Sequence, residues 1–437
     1  MSMEKLTAMN GQRCRCGKVH TFSADVKIGS GIIESIPEYI KKYNAKKVFL
    51  LSDRNTHQAA GAKVCDILSQ GKIDFTDYCF DHYPVEPDEY SVGSAVLHFD
   101  NSCDLIIAVG SGVVNDIGKI LSATSGKPYM IVATAPSMDG YASASSSMTR
   151  DGLKISLPSR CADIIVGDTD ILRQAPLHMM KSGLGDMLAK YVSICEWRIA
   201  QIVTGEYYCE EIADLIRSAL QRCIHHAQGL LSRDVAAVQA VFEGLVIGGV
   251  AMNYAGLSRP ASGVEHYISH ILDMRSVEFG TPAELHGIQC AVGTLIASRL
   301  YEKIKQITPD PERARRYARA FRYDAWAEEL RSFLGKGAES MITLEAKERK
   351  YDTAAHDPRL DILLNNWEKI LRIIEEELPT SGEIEKLLNM IDAPTSLQDI
   401  GISEDILPTI FKATKDIRDK YVLSRLAWDL GILDEII

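Results

Sequence analysis

The sequence predicts an α/β N-terminal domain with a mainly parallel, Rossmann-like sheet, followed by an all-α C-terminal domain. Short apolar runs alternate with amphipathic segments as far as about residue 170. One of these runs leads directly into a glycine turn, and after Ile171 the strand signals stop and long amphipathic segments follow. Strands alternating with helices are typical of a parallel sheet covered by helices. We therefore predict a nucleotide-binding domain at residues 1–170 and a helical domain that binds metal and substrate at residues 171–437.

The composition is that of a globular protein. The chain has 437 residues, 46% hydrophobic and 24% charged, which is enough for two domains with full cores. No apolar run comes close to the roughly 20 residues that cross a bilayer, and the N-terminus lacks the apolar core of a signal peptide. We therefore expect a cytoplasmic protein without a membrane partner.

Charge and cysteine usage exclude two further classes. The net charge of -11 argues against a nucleic-acid partner, because phosphate backbones are bound by clustered Lys and Arg. The ten cysteines are scattered through apolar segments, which indicates reduced, packed thiols and no disulfide framework.

The predicted elements follow from apolar runs and helical periodicity. Strands are predicted at 47–53, 75–80, 104–109, 128–134 and 163–168. Helices are predicted from Gly31 to Tyr43 and at 56–70, 88–100, 185–204, 209–231, 235–257, 314–334, 367–377 and 410–428, and in the histidine-bearing stretch near 266. The polar segment 335–359 is predicted to be an irregular insertion.

Cys14, Cys16 and His20 stand close together before the first predicted helix. Three such side chains suit a small structural zinc site, but a closed zinc site takes four ligands and no fourth lies nearby in the sequence. The pattern favours a surface hairpin.

Asp53 ends the strand predicted at 47–53. At this place in a nucleotide-binding sheet a carboxylate can accept hydrogen bonds from the adenosine ribose and repel a 2′-phosphate. The alternative is a helix N-cap before Asn55 and Thr56.

A glycine turn follows the strand predicted at 104–109. Glycines let the backbone approach an anion, and the amides of the next helix N-terminus attract a pyrophosphate. The spacing is GxGxxxD and not GxGxxG, so the ordinary dinucleotide fingerprint does not match, and a plain strand-to-helix connection is the alternative. The residues predicted to bind a cofactor here are Gly110, Ser111, Gly112, Asn115 and Asp116.

Small hydroxyl residues dominate the loop at 135–147, which follows the strand predicted at 128–134. They can approach a flat ring or a polyol closely and offer hydrogen bonds without bulk. The alternative is a flexible serine-rich linker. Thr134, Ser137 and Ser143 are the residues of this segment predicted to contact the cofactor.

His266, His270 and His286 lie within a short stretch of a chain that has eleven histidines. Converging imidazoles can hold a zinc, nickel or iron ion, and a catalytic site normally adds a carboxylate, for which Asp186 in the segment GLGD is the best candidate. The i, i+4 spacing of His266 and His270 places both on one helix face but does not choose between shared ligation and divided roles. Polar residues on a helix and a loop are the alternative.

Five motifs, taken together, resemble one family. They are GSGVVND at 110–116, TAPSMDGYASA at 134–144, GLGDMLAK at 183–190, SRPASGVEHYISH at 258–270 and LHG at 285–287. In this order the sequence resembles the superfamily of dehydroquinate synthase, glycerol dehydrogenase and iron-containing alcohol dehydrogenases, and within it the bacterial and archaeal glycerol-1-phosphate dehydrogenases. The resemblance covers nearly the whole chain.

The resemblance implies the ligands of one divalent metal. Matched motif by motif, they are Asp186, His266 and His286, which would also be the catalytic residues; Asp139, Arg259 and His270 would contact the substrate. Nickel or zinc is implied, with iron as a third choice.

The resemblance also implies the reaction, which is the reversible reduction of dihydroxyacetone phosphate to sn-glycerol 1-phosphate, a step of phospholipid metabolism. NAD(H) is expected in preference to NADP(H), on account of Asp53, and the chain is expected to form a homodimer. The alternatives are a glycerol dehydrogenase acting on unphosphorylated polyols, a dehydroquinate-synthase-like cyclase, and a non-enzymatic protein that binds nucleotide or metal.

Overall fold

A six-stranded, wholly parallel sheet forms the centre of the N-terminal region in the computed structural model, which describes residues 2–437 except the side chains of Ser2 and Glu4. Its strands are β1 (Asp25–Gly29), β2 (Lys47–Ser52), β3 (Asp74–Cys79), β4 (Leu105–Gly110), β5 (Tyr129–Ala133) and β8 (Ile164–Asp168). A separate antiparallel hairpin consists of β6 (Ser145–Arg150) and β7 (Leu153–Pro158). The predicted class, a mainly parallel α/β region followed by helices, is confirmed.

The strand order in the sheet is β1-β8-β5-β4-β2-β3. From β2 the chain crosses to β3 at one edge, whereas from β4 it crosses to β5 on the other side. The direction of winding therefore reverses between β2 and β4. In parallel sheets ligands bind outside the carboxyl ends of the strands at such a reversal. Here Ser52 pairs with Val109, so those two ends lie side by side.

In the part of the chain that the structure describes, eleven α-helices lie before, between and after the strands, up to residue 255, and the first of them precedes β1. They are α1 (Ser2–Met9), α2 (Ile36–Lys42), α3 (Arg54–Thr56), α4 (Ala62–Gln70), α5 (Glu89–His98), α6 (Gly112–Ser125), α7 (Thr169–Leu172), α8 (Leu177–Leu188), α9 (Lys190–Thr204), α10 (Glu210–His226) and α11 (Val235–Ala255). A π-helical turn at His57–Gly61 joins α3 to α4.

The remaining chain is helical, as predicted. Its helices are α12 (Val264–Phe279), α13 (His286–Ile304), α14 (Pro311–Arg319), α15 (Tyr323–Leu334), α16 (Gly337–Glu348), α17 (Thr353–Asn365), α18 (Trp367–Glu377), α19 (Ser381–Met390), α20 (Leu407–Thr414) and α21 (Leu423–Asp429).

Three local predictions were wrong. The segment 335–359 is not irregular, because α16 and the start of α17 occupy it and bury Ala338 and Met341 in the helical core. The tail 410–428 is two helices separated by an irregular stretch. The strands β1, β6 and β7 were not predicted, since most of their residues are partly buried or exposed and their sequences lack a continuous apolar run.

The chain folds into two compact units that interleave along the sequence. The first contains residues 1–187 and 214–256, and the second contains residues 188–213 and 257–437. The predicted boundary near residue 170 falls where the sheet ends, at Asp168. The assignment of a nucleotide-binding role to one part and a metal- and substrate-binding role to the other stays a prediction.

Helix α11 belongs to the core of the first unit. Its 21 residues are long and apolar enough to cross a bilayer, contrary to our expectation that no segment would be, but 78% of its most apolar window is buried inside the protein. A Cβ atom on Gly167 of β8 would lie 2.1 Å from the ring of Phe242. The bare backbone at that position lets α11 pack directly on the sheet.

Gly183, in the middle of α8, is required by a similar close approach. A Cβ atom there would lie 1.9 Å from the carbonyl oxygen of Pro136, in the loop that follows β5. This glycine of the GLGD segment thus sets the distance between that loop and the helix that carries Asp186.

We expect Gly183→Ala to destabilise the protein although alanine is the better helix former. Displacing a backbone carbonyl costs on the order of 1–3 kcal/mol, more than the roughly 1 kcal/mol gained in helix propensity. The matched control is Gly93→Ala in α5, where a Cβ atom meets nothing within 4 Å. Thermal unfolding should show a lower Tm for Gly183→Ala and an equal or higher Tm for Gly93→Ala. Equal Tm values for the two variants would contradict the close approach.

Candidate active site

The carboxyl ends of β2 and β4 bring together Asp53 and the glycine turn. Asp53 follows β2 directly, and Gly110 ends β4, the neighbouring strand in the sheet. Ser111 is the N-cap of α6 and makes no side-chain capping bond. The first N–H groups of a helix have no partner within it, so the start of α6 presents a positive end at the reversal of the sheet.

Asp53 serves as a helix N-cap. Its Oδ1 atom accepts hydrogen bonds from the backbone N–H groups of Asn55 at 2.8 Å and Thr56 at 2.9 Å, and its own N–H donates to Thr56 Oγ1 at 3.0 Å. The N-cap interpretation is therefore confirmed. The ribose interpretation remains open beside it, because one carboxylate has capacity for both sets of donors.

Asn115 and Asp116, both predicted to bind a cofactor, bond to neighbouring protein groups. Asn115 accepts a hydrogen bond from the Tyr129 hydroxyl at 2.9 Å and donates to the Gly140 carbonyl at 3.2 Å. Asp116 pairs with the buried Lys119 at 2.8 Å. The contacts of Asn115 hold α6 against β5 and the loop that follows it, whereas the pair of Asp116 and Lys119 lies within α6.

The hydroxyl loop after β5 is tied to its surroundings in the first unit. Thr134, Ser137 and Ser143 are each only 7% exposed. The Ser137 carbonyl accepts a hydrogen bond from Ser182 Oγ at 2.9 Å, and the hydroxyls of Ser143 and Ser145 lie 2.9 Å apart. The loop is therefore a packed feature and not a flexible linker.

Asp186 lies on α8 and is completely buried. Its Oδ2 atom accepts a hydrogen bond of 2.9 Å from the backbone N–H of Asp139. A buried carboxylate is costly unless donors or cations favour its charge. This setting suits a carboxylate that serves as a metal ligand.

The histidines of the second unit converge across α12 and α13. The ring centroids of His266 and His286 are 5.0 Å apart, and those of His270 and His286 are 6.0 Å apart. The two helices come this close because a Cβ atom on Gly293 of α13 would lie 2.7 Å from the carbonyl oxygen of Glu265.

The tautomer of His266 follows from its neighbour. Its Nδ1 atom lies 2.8 Å from Oε1 of the fully buried Glu265, which also accepts the N–H of Gly263 at 2.6 Å. A carboxylate only accepts, so Nδ1 carries the proton and the Nε2 lone pair is left to bind a metal.

The tautomer of His286 follows from a chain of hydrogen bonds. Gln289 donates through Nε2 to the Glu284 carbonyl at 3.0 Å, so its Oε1 is the atom that accepts the Ser269 hydroxyl at 2.8 Å. Having given its only proton to Gln289, Ser269 Oγ accepts from His286 Nδ1 at 3.0 Å. His286 therefore also presents the lone pair of Nε2.

Cys290 belongs to this cluster and was not recognised as a site residue from the sequence. Its Sγ atom lies 3.6 Å from His286 Nε2, and ligand atoms of His266, His286 and Cys290 all lie within 4.8 Å of one another. Burial acts to raise the pKa of the Cys290 thiol, but the rings of His266 and His286 lower it below the usual value. The four-residue spacing from His286 was the available signal.

His270, on α12, lies close to two cations. Burial lowers its pKa well below the usual value, and the charges of Arg418 and Lys420 lower it further. Lys420 Nζ donates to the carbonyl oxygen of Ser262 at 3.0 Å and to its hydroxyl at 2.6 Å. Burial, together with Arg259 and Arg418, lowers the pKa of Lys420 to about 7. The field of Arg418 and Lys420 therefore disfavours protonation of His270, and a bound anion would offset that field.

Arg259, predicted to contact substrate, is engaged within the second unit. Its Nε and Nη2 atoms donate to the carboxylate of Glu206 at 2.9 and 2.6 Å, and Nη1 donates to the Tyr421 carbonyl at 2.8 Å. The side chain is fully buried. In this arrangement Arg259 neutralises a carboxylate, and its substrate role stays a prediction.

Comparison with known proteins first concerns the fold. Residues 27–176 match the sequence profile of the iron-containing alcohol dehydrogenases. The crystal structure of glycerol dehydrogenase from Schizosaccharomyces pombe superposes with a TM-score of 0.61 at 17% identity, over 96% of this chain and 91% of that one. At this identity the match supports the fold alone.

Two relatives match at the level of sequence. The glycerol-1-phosphate dehydrogenase [NAD(P)+] of Halalkalibacterium halodurans is 26% identical over 415 residues, which is 94% of both chains. The enzyme of the same name from Bacillus subtilis is 31% identical over 287 residues, covering 64% of this chain and 72% of that one. With the predicted motifs and the observed fold, these matches show that the chain belongs to the glycerol-1-phosphate dehydrogenase family.

Proposed function

We propose that this protein catalyses the reversible reduction of dihydroxyacetone phosphate to sn-glycerol 1-phosphate with NAD(P)H and one divalent metal ion. Family membership supports this reaction, since the relatives carry the name glycerol-1-phosphate dehydrogenase [NAD(P)+]. The observation that carries the metal requirement is the pair of imidazoles on α12 and α13 that both present Nε2.

Asp186 of the first unit and His266 and His286 of the second are the proposed ligands. One carboxylate and two neutral imidazoles suit a catalytic ion, and the donor set fits because both imidazoles are fixed in the ligating tautomer. When bound, such an ion acts as a Lewis acid for the substrate carbonyl and for the negative charge that develops on its oxygen. Nickel and zinc are the proposed ions and iron is the third choice, because each of them accepts one carboxylate and two imidazoles as ligands.

The proposed cofactor site lies at the reversal between β2 and β4. The start of α6 would receive the pyrophosphate, and the bound nicotinamide would supply the hydride. Asp53 would accept hydrogen bonds from the ribose hydroxyls, and its charge would favour NAD(H) over NADP(H). The other residues proposed to line this site are Gly110, Ser111, Gly112, Asn115, Asp116, Thr134, Ser137 and Ser143.

Arg418 and Lys420 are the proposed partners of the substrate phosphate, next to His270. They were not among the residues predicted from the sequence, and they are supported by their electrostatic effect on His270. The phosphate does not react, so its binding energy can serve to hold the carbonyl in position. Asp139 and His270 are proposed to contact the polyol part of the substrate.

We also propose a cytoplasmic homodimer without nucleic-acid or membrane partners. The net charge of -11 supports the first of these exclusions, and the burial of α11 in the core of its unit supports the second.

The first prediction concerns the ligand set. Asp186→Asn, His266→Ala and His286→Ala should each lose one equivalent of metal per chain and turnover, because a site with three protein ligands rarely survives the loss of one. His270→Ala and Cys290→Ser, which change a histidine and a thiol beside the same rings, should keep the metal. The measurements are the metal content per chain and the steady-state rate of each variant. Loss of the metal in Cys290→Ser, with retention of the metal in Asp186→Asn, would show that Cys290 and not Asp186 is the third ligand.

The second prediction concerns the cofactor. Asp53→Ser preserves an N-capping oxygen and removes the charge, so the kcat/KM for NADPH relative to that for NADH should rise by about fivefold, the effect of roughly 1 kcal/mol of repulsion. An unchanged Tm would verify that the cap is intact. An unchanged cofactor ratio would leave Asp53 as a helix cap only.

The third prediction concerns the phosphate. Two charge-assisted hydrogen bonds at roughly 1.5–3 kcal/mol each imply that dihydroxyacetone loses on the order of 10² to 10⁴ in kcat/KM against dihydroxyacetone phosphate. Arg418→Ala should reduce kcat/KM for the phosphorylated ketone by at least tenfold and leave the value for the free ketone nearly unchanged.

Comparable values for the two ketones in the wild type would instead indicate a glycerol dehydrogenase. Absence of turnover with both ketones would favour the cyclase or the non-enzymatic alternative. Oxidation of the product by an enzyme specific for sn-glycerol 3-phosphate would contradict the proposed stereochemistry.

A further inference from the structure

The segment Cys14–His20 forms a tight hairpin that the proposed reaction does not use. Arg13 and Val19 form an isolated antiparallel bridge, and the Cys14 N–H donates to the Lys18 carbonyl at 2.9 Å. The turn closes through Gly17, whose N–H donates to the Cys14 carbonyl at 2.9 Å and whose φ of 89° favours glycine. The hairpin predicted from the sequence is confirmed.

The hairpin gathers three soft or borderline metal ligands. The Sγ atoms of Cys14 and Cys16 and a ring nitrogen of His20 all lie within 4.8 Å of one another. Cys16 Sγ is 3.4 Å from His20 Nε2, and the Cys16 N–H points at Cys14 Sγ at 3.5 Å. Neighbouring ligand atoms of a tetrahedral zinc ion are about 3.6–3.8 Å apart, from bond lengths of about 2.0–2.3 Å. Only small side-chain rotations separate this arrangement from a zinc site.

His20 is already fixed as a ligating histidine would be. It is 2% exposed, and its Nδ1 atom lies 3.0 Å from the carbonyl oxygen of Tyr254. A carbonyl only accepts, so Nδ1 carries the proton and Nε2 turns its lone pair towards Cys16. Donation of the second ring N–H to a backbone carbonyl is the usual support of a metal-bound histidine.

We propose that Cys14, Cys16 and His20 bind one zinc ion, in addition to the active-site metal. Two thiolates and one imidazole are preferred zinc ligands, and the fourth position of the tetrahedron is open to water or a further ligand. The ion would stabilise the hairpin between α1 and β1 and, through His20, hold it to Tyr254 at the end of α11. The inference does not depend on the proposed reaction.

The test uses cobalt substitution in the full-length protein. The proposed active-site ligands include no thiolate, so near-ultraviolet thiolate-to-cobalt charge-transfer absorption reports on this cluster. We expect the band in the wild type and in His286→Ala, and its loss, with one equivalent of metal, in Cys14→Ser and Cys16→Ser. The matched control is Cys223→Ser, a buried thiol on α10 that donates to the Ala240 carbonyl at 3.2 Å. It should keep the band.

A measurement on the wild type covers the case in which the variants fail to fold. Removal of metal by a chelator should speed alkylation of Cys14 and Cys16, mapped by peptide mass spectrometry, and added zinc should reverse the change. The proposal is overturned if the wild type shows no charge-transfer band, if the band is lost in His286→Ala, or if alkylation is insensitive to chelator.

Discussion

The constraint on which the second unit depends is that two neutral imidazoles must present the same nitrogen to one point. Histidine alone does not ensure this, because either ring nitrogen can carry the proton. Here a buried carboxylate, Glu265, holds the proton of His266 on Nδ1, and the chain from Gln289 through Ser269 does the same for His286. Both arrangements require α12 and α13 to approach closely at Gly293. The packing of the two helices therefore fixes the hydrogen bonds, and the hydrogen bonds fix which nitrogen each imidazole presents.

The first unit presents the N-terminal end of α6 at the reversal of its sheet, where we propose that the cofactor's pyrophosphate binds. The reversal of winding between β2 and β4 separates the connections that leave these strands, and the register of the two strands puts Asp53 beside Gly110. The polar side chains around this point are mostly engaged with the protein: Asp53 caps α3, and Asn115 orients Tyr129 and Gly140. The backbone and the start of α6 are therefore the groups best suited to a pyrophosphate.

The basic residues near the histidines look alike in the sequence but differ in whether a carboxylate neutralises their charge. Arg259 lies within a recognisable motif, yet its guanidinium is neutralised by Glu206. Arg418 and Lys420 lie outside every recognised motif, in the irregular stretch between α20 and α21, and their field lowers the pKa of His270. A cation already paired with a carboxylate attracts an incoming phosphate dianion only weakly. Cations beside a neutral imidazole are stabilised when such a dianion binds next to them.

The sequence by itself determined the fold class, the four inner strands, the edge strand β3 and most helices, because apolar strands and amphipathic helices have strong periodic signals. It also indicated the family, through the order of its motifs. It could not determine which side chains are already bonded to others. The pairing of Arg259 with Glu206, the approach of Cys290 to His286, and the cations at 418 and 420 join residues far apart in the chain or depend on helix geometry.

The same reason explains the N-terminal cysteines. Cys14, Cys16 and His20 were visible as a motif, but the sequence does not show which ring nitrogen of His20 faces the thiols. Only the tertiary structure shows that the Tyr254 carbonyl, far along the chain, holds the proton of His20 on Nδ1 and leaves Nε2 towards Cys16. Local patterns determine elements and motifs, since their signals repeat within a few residues; contacts between distant side chains are decided by packing, which no local pattern encodes.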